Sequence, residues 1–241
     1  MDERSKPNCN QEILNVLAEK SSTKQLIYRN TLSVFEQLKA TLQEIARELN
    51  DNICDIDNHV VVEFKDRGQF EAEIVFSGDT LIFHMHTNVF AFDKGHMVNK
   101  MGYVKEDPLR GYFGIINVYN FLSDSLKYNR VEDLGFLLGR IFINKDRHYF
   151  VEGRRQLGFL FNDLPHQTVE NMALRKIIES AILQALDFDL TAPDFRDMSV
   201  VTVHQIRSIS SDLRIATSKK LGFRMSYENA PKAARNKKEE D

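Results

Sequence analysis

The chain has 241 residues, of which 42% are hydrophobic and 28% charged, with 17 Phe and no Trp. This composition excludes a disordered acidic or proline-rich chain and supplies enough apolar material for a packed core. Lys and Arg number 32 against 35 Asp and Glu, which gives a net charge of −3. That balance lacks the broad positive field of proteins that hold nucleic acid or an anionic membrane, so we expect neither partner.

Targeting signals and cysteine spacing indicate the compartment. The first ten residues are polar and charged and contain no apolar run, so a secretory signal is not expected. The chain contains no stretch of ~18 uncharged apolar residues, so no membrane-spanning helix is predicted. Cys9 and Cys54 lie outside any Cys-x-x-Cys spacing, which favours free thiols. We therefore expect a cytoplasmic protein.

Helical spacing dominates the first fifty residues. A short helix is predicted from Asn10 to about Lys20. Ser22 and Gln25 then form an S-x-x-Q capping box, which predicts the start of a second helix running to about residue 50. Apolar residues recur in it at every seventh position, namely Tyr28, Phe35, Leu42 and Leu49. This stripe either packs the helix on its own domain or forms the seam of a homodimer, and both remain open.

Strand-like patterns follow from residue 59. Three strands are predicted, over residues 60–66, 70–76 and 81–86, in an antiparallel meander with turns at 66–69 and 77–79. Apolar residues alternate with polar ones in the second and third strands, so one face of the meander is expected to lie in a core. Residues 89–104 are predicted to add one or two further strands.

Residues 113–127 fit two interpretations. As a strand, this segment would be apolar on both faces and would bury Asn117 and Asn120. As a helix, it places apolar residues on one side and Asn117, Asn120 and Asp124 on the other. The helical period separates the two classes better, so a middle helix is predicted.

The second half of the chain is predicted from the same periodicities. A short helix is expected near 131–139, a hairpin over 140–144 and 148–152, a strand over 157–161 and a helix over 167–186.

The last part of the chain is predicted to be an extension and a tail. Thr202 and Gln205 form another capping box, and Gly222 lies where a helix would end. Residues 229–241 are polar and charged, which predicts a disordered tail.

These elements together predict an α+β fold. An antiparallel sheet of six or seven strands carries a long N-terminal helix, a middle helix and C-terminal helices. Residues 1–228 are predicted to form one domain, made of N-terminal helices over 10–50, a core over 59–187 and an extension over 190–228.

His84 and His86 are the sharpest candidate for a metal site. Two residues apart on a strand, they leave the same face, as two imidazoles that share a metal must. With Gly78 upstream, the pair resembles the first half of the cupin metal motif. The glutamate expected four or five residues after His86 is absent, since Phe90 and Ala91 stand there. A half-exposed histidine pair without metal is the alternative.

Glu63-Phe64-Lys65 has the E-x-K spacing of restriction-type nucleases. That chemistry needs a further acidic residue from a neighbouring strand to share Mg²⁺. The nearest preceding candidate, Asp57, lies on the same strand. A solvated strand edge is the simpler interpretation.

Four arginines surround the second hairpin, namely Arg140, Arg147, Arg154 and Arg155. Converging guanidinium groups could bind a phosphate or a carboxylate of a partner. The alternative is that nearby carboxylates such as Glu152 and Asp146 neutralise them on the surface.

The order of predicted elements, with the text Ile116-Asn117-Val118-Tyr119-Asn120 in the middle, resembles the bacterial sensory-transduction domain related to type III secretion chaperones. The resemblance covers residues 59–187. It implies a non-enzymatic, dimeric protein that binds other polypeptides. No cofactor is expected.

Three functions are therefore expected, in decreasing order. The first is a protein-binding module of chaperone or adaptor type, homodimeric and without a catalytic site. The second is a sensor of a small anion or nucleotide. The third is a metal-dependent enzyme at His84 and His86.

Overall fold

A single antiparallel sheet organises the protein, which we describe from a computed structural model covering residues 9–53, 56–57, 59–188 and 203. The strands are β1 (Val62–Asp66), β2 (Glu71–Phe76), β3 (Asp79–Met85), β4 (Phe90–Ala91), β5 (Tyr112–Leu122), β6 (Phe136–Ile143) and β7 (Tyr149–Gly153). Their order is β1-β2-β3-β5-β6-β7, and the short β4 pairs with β5. Together with its helices, the sheet confirms the α+β fold predicted from the sequence.

The N-terminal helix is continuous over 45 residues. It consists of α1 (Cys9–Val16), a π-helical turn (Leu17–Ser21) and α2 (Ser22–Ile53). Ser22 has helical φ and ψ of −60° and −42°, so it lies inside the helix. The predicted break and capping box at Ser22 are therefore wrong.

Between residues 59 and 188, the helices are short except for the last. They are α3 (Gly102–Glu106), α4 (Ser123–Lys127), α5 (Gln156–Leu160) and α6 (Asn171–Leu186), with 3₁₀ turns at Met97–Lys100 and Pro108–Gly111. The structure thus shortens the predicted helix over 167–186 to α6. Of the strands predicted over 89–104, it contains only β4.

The main core lies between the sheet and the helices α2 and α6. Alternate residues of the strands, such as Ile74, Phe83 and Ile116, meet apolar residues of α2 and α6 there. Phe35 and Leu42 of α2 belong to this core and are completely buried. The long helix therefore packs on its own sheet over this part of its length.

A second, smaller cluster covers one end of the opposite face of the sheet. Phe113 and Ile115 of β5 and Phe142 of β6 pack there against Val98 and Val104. Val98 and Val104 belong to the segment between β4 and β5, so this segment covers this end of the sheet.

The middle helix predicted over 113–127 is wrong, because most of this segment is β5, and only its end, α4, is helical. β5 lies between β3 and β6; the main core covers one of its faces and the smaller cluster covers the first part of the other, so an apolar pattern on both sides suits that part. Asn120 is buried, and its side-chain oxygen has no hydrogen-bond partner among the described residues. The awkward burial that argued against a strand is thus present in the structure.

Two shorter predictions are also wrong. The helix expected near 131–139 is a loop followed by β6. The strand expected over 157–161 is the single helical turn α5. There the chain passes so close to itself that a Cβ on Gly158 would lie 2.2 Å from the carbonyl oxygen of Gly153. The absence of a side chain at Gly158 permits this approach, and the chain returns to β7, where Phe161 accepts the backbone N–H of Val151.

The predicted hairpin over 140–152 is confirmed as β6 and β7. The described residues between Cys9 and Phe188 form one compact unit. The predicted extension over 190–228 and tail over 229–241 lie outside the described residues, except for Val203. No helix in the described part of the chain combines the length and apolar character needed to cross a bilayer.

Candidate functional site

An apolar groove runs between the C-terminal ends of α2 and α6, beside the edge strand β1. Its cavity volume is about 440 Å³. From α2 come Ile45, Leu49 and Ile53, which share a helix face because they are four residues apart. The groove, which we call the α2–α6 groove, is completed by Val60, Val62, Phe76, Ile182, Leu183 and Leu186.

The groove leaves large apolar side chains open to solvent. Leu183 and Leu186 of α6 are 63% and 51% exposed, and Leu49 of α2 is 38% exposed. Single exposed apolar residues are ordinary, but several that line one concavity are typical of binding surfaces. The groove is therefore the first candidate for a functional site.

One rim of the groove is charged. Arg175 of α6 donates to Glu48 of α2 at 3.0 Å and to Glu179 at 2.8 Å. The hydrogen bond from Arg175 holds the pKa of Glu48 below its usual value, and the two carboxylates raise the pKa of Arg175. Two carboxylates share one guanidinium, so these three side chains carry a net negative charge, which favours a partner with basic residues beside its apolar ones.

Both outer strands of the sheet use part of their edge hydrogen bonds within the protein. The Asn50 side chain of α2 accepts from the Val62 N–H of β1 at 2.7 Å and donates to the Val62 carbonyl. At the opposite edge, Val151 of β7 donates its backbone N–H to Phe161 at 2.6 Å. A polypeptide partner is thus more easily accommodated in the groove than by adding a strand.

The predicted histidine pair has no metal-binding surroundings. His84 lies in β3 between Glu71 of β2 and Asn117 of β5. His86 accepts a hydrogen bond from the Asn88 N–H at 3.0 Å and packs edge-on against Phe90. Across the described residues, no group of three or more His, Cys, Asp or Glu side chains could hold a metal ion.

The E-x-K segment forms an ordinary strand edge. Lys65 and Glu63 of β1 pair with each other at 2.9 Å. Asp57 interacts with His59 instead, at 3.0 Å. Glu63, Lys65 and Asp57 therefore do not form one site, and the described residues contain no group of three acidic side chains that could hold Mg²⁺.

The four arginines are distributed along the hairpin. Arg140, in the middle of β6, donates to Glu152 of β7 at 2.9 Å. Arg147, in the turn, donates to Gln37 of α2 at 3.2 Å. Arg154 and Arg155 follow the end of β7, where Arg155 pairs with Asp187. Three of the four thus bind different partners in the described structure.

The predicted dimer residues have different environments. Phe35 and Leu42 are used by the core, and Tyr28 is half-buried against it. Phe35 and Leu42 are therefore not available as the seam of a second chain. Leu49 alone of the four is exposed, and it lines the groove.

Sequence reasoning missed the groove as a site, although a signal for it exists. On α6 the core stripe is formed by Ile178, Ala181, Ile182 and Ala185. Leu183 and Leu186 lie outside that stripe, as apolar residues on a helix flank that would otherwise be polar. Extra apolar residues beside a complete core stripe indicate a second contact surface.

Comparisons with known proteins give no further guidance, since no protein-family model, no curated protein and no solved structure matches this chain.

Proposed function

We propose that the protein is a polypeptide-binding module of chaperone or adaptor type, without a catalytic site of its own. The α2–α6 groove is where it holds an apolar helical segment of its partner. The observation that carries this proposal is the convergence of exposed Leu49, Leu183 and Leu186 in one groove between two helices.

The dimensions and chemistry of the groove support a helical occupant. A groove between two helices accepts an amphipathic helix through apolar residues spaced three and four apart. The apolar walls of the groove contact the apolar face of the bound helix, and Glu48 and Glu179 favour basic residues beside that face. The resemblance to secretion chaperones, which rests on the order of elements, points to the same class of function.

A binding titration tests this proposal. The probe is a fluorescein-labelled, 16-residue amphipathic helix of Leu, Ala and Lys, and its anisotropy is followed as the full chain is added. We expect saturable binding that Leu183→Lys weakens about tenfold or more, because a charge replaces an apolar wall of the groove.

The chain offers a matched control for this substitution. Leu134 is 69% exposed, close to the 63% of Leu183, but lies in the loop before β6, outside the groove. Leu134→Lys should bind the probe as the wild type does. Equal affinity of wild type and Leu183→Lys, or equal binding of a scrambled non-amphipathic peptide, contradicts the proposal.

A small apolar ligand is a second candidate for the same groove. Its volume of about 440 Å³ lies within the usual range of ligand pockets, roughly 300–1,000 Å³. A ligand that binds only the folded protein raises its melting temperature. A metabolite that stabilises the wild type but not Leu183→Lys, in the absence of any peptide binding, would favour this second candidate.

A further inference from the structure

The first turns of the N-terminal helix carry a second exposed apolar surface. Ile13, Leu14, Val16 and Leu17 are 51% to 57% exposed. No residue of α1 or of the π-helical turn is buried. We call residues 9–21 the arm. An apolar stripe on a helix indicates a surface that covers it, and the described part of the chain provides none here, so the arm has the properties of a segment that docks.

The arm cannot fill the groove of its own chain. Arm and groove lie towards opposite ends of one continuous helix. Leu17 and Leu49 are 32 residues apart along it, which corresponds to roughly 48 Å at 1.5 Å per residue. A helix that packs on its own sheet between these points holds them apart, so any contact between arm and groove is made by two molecules.

The exposed area decides between two kinds of dimer. Half-exposed aliphatic residues present on the order of 90 Å² each, so the four arm residues offer about 350 Å². Two arms packed only on each other would bury about 700 Å², below the ~1,200 Å² at which specific interfaces begin. Leu49, Leu183 and Leu186 add on the order of 270 Å² of exposed apolar surface per groove, so two arms docked in two grooves would bury about 1,200 Å², the area at which specific interfaces begin.

We infer that the arm of one chain fills the α2–α6 groove of a second copy, in a reciprocal exchange that gives a two-fold symmetric dimer. This inference rests on the proposed function, because it names the first helical segment that the groove holds. The exchange covers both exposed apolar surfaces at once and closes the assembly, whereas a one-sided contact would leave one of each open.

The inferred dimer contacts differ from those predicted from the apolar stripe of the long helix. Its contacts are Ile13, Leu14 and Leu17 on one chain and Leu49, Leu183 and Leu186 on the other. Phe35 and Leu42 remain in the core of each subunit.

Sedimentation velocity of the full chain over a range of concentrations tests the exchange. We expect the wild type to dimerise. We expect Leu17→Lys in the arm and Leu183→Lys in the groove each to raise the dimer dissociation constant about a hundredfold. Leu134→Lys, matched in residue type and exposure, should dimerise as the wild type does. Unchanged far-UV circular dichroism shows that the variants are folded.

Mixing the two variants provides the decisive measurement. Leu17→Lys retains an intact groove and Leu183→Lys an intact arm, so an equimolar mixture can form one of the two arm–groove contacts. The mixture should therefore associate more strongly than either variant alone. A wild type that stays monomeric at all concentrations, or a mixture that behaves as the average of its components, overturns the inference.

The outcome also separates this inference from the proposed function. A wild type that is monomeric but binds the amphipathic probe, with weaker binding by Leu183→Lys, contradicts the arm exchange and supports the proposed function. Dimerisation that depends on the groove, without binding of the probe, supports the exchange and contradicts a groove open to other polypeptides.

Discussion

The first turns and the middle of the N-terminal helix have similar apolar patterns and opposite environments. In α2, Val34, Phe35, Leu38 and Leu42 are fully buried against the sheet. In the arm, Ile13, Leu14 and Leu17 have the same residue types at helical spacing but remain exposed. An apolar stripe thus predicts that a helix has a contact, but not whether its own domain or another molecule provides it.

The largest expected effect is a difference in the free energy of unfolding between substitutions in the buried part of α2 and substitutions in the arm. Leu42→Ala should lower the free energy of unfolding by about 2–5 kcal/mol, because it opens a cavity in the core. Leu14→Ala should change it by less than about 0.5 kcal/mol at protein concentrations where the monomer dominates, since it removes an exposed side chain. Urea denaturation of both variants measures the difference. Similar costs would mean that the arm packs on its own domain.

A close approach marks where the helix enters the core. A Cβ on Gly114 of β5 would lie 2.0 Å from the hydroxyl oxygen of Thr31. Gly114→Ala should therefore push α2 away from the sheet and cost about 1–3 kcal/mol in the free energy of unfolding.

Gly78→Ala is the control for that substitution, because no atom lies within 4 Å of the added Cβ. Its cost should stay below about 0.5 kcal/mol. Adding Thr31→Ala to Gly114→Ala removes the closest clash and should recover part of the lost stability. Equal melting temperatures of the two alanine variants would contradict the close contact.

The pH dependence of stability tests the ion pair that joins α2 to β1. Lys39, almost buried, pairs with Asp66 of β1 at 3.2 Å. The Gly68 N–H, and secondly Lys39, lower the pKa of Asp66 from its usual value. Because the pKa is lower in the folded state, this stabilisation is fully present above the ordinary carboxyl pKa of about 3.9 and is lost as pH falls through the folded pKa.

The size of this effect should be below about 1 kcal/mol, since Asp66 is largely exposed. Urea denaturation of the wild type and Asp66→Asn between pH 7 and pH 2 measures it. Wild type should be the more stable at pH 7, and the difference should shrink on acidification. A difference that is independent of pH would assign the effect of the substitution to something other than the charge.

The smallest expected change in stability concerns the π-helical turn Leu17–Ser21, which connects the first two turns of the arm to α2. Such a turn contains one residue more than an α-helical turn, so it rotates the arm relative to α2. Deleting Ala18 should change the free energy of unfolding by less than about 0.5 kcal/mol, because this turn buries no residue. It should still weaken dimerisation in sedimentation velocity, since the arm stripe faces a different direction. Unaltered dimerisation would show that the orientation of the arm is irrelevant.

The sequence allowed much of the fold to be predicted, for identifiable reasons. In β2 and β3, Ala72, Ile74, Leu81 and Phe83 alternate with more polar residues, and each is buried on the core face as expected. The hairpin of β6 and β7 was identified from two apolar runs around a polar turn. Such patterns are local, so one sequence is sufficient to read them.

β5 and the groove could not be predicted in the same way. Phe113 and Ile116 point to opposite faces of β5, and only the presence of two covering layers makes a strand of this kind stable. The groove joins residues of α2 with residues of α6 that follow more than 120 positions later. Neither fact depends on neighbours in the sequence.

Length, composition and periodicity by themselves determined an α+β protein with a striped N-terminal helix and an antiparallel sheet, because local spacing sets which side chains share a face. The tertiary structure decided which of those faces are covered. It used Phe35 and Leu42 in the core and left Ile13, Leu14 and Leu183 exposed. Burial depends on the arrangement of distant elements, and so only the folded chain distinguishes a core stripe from a surface that can receive a partner.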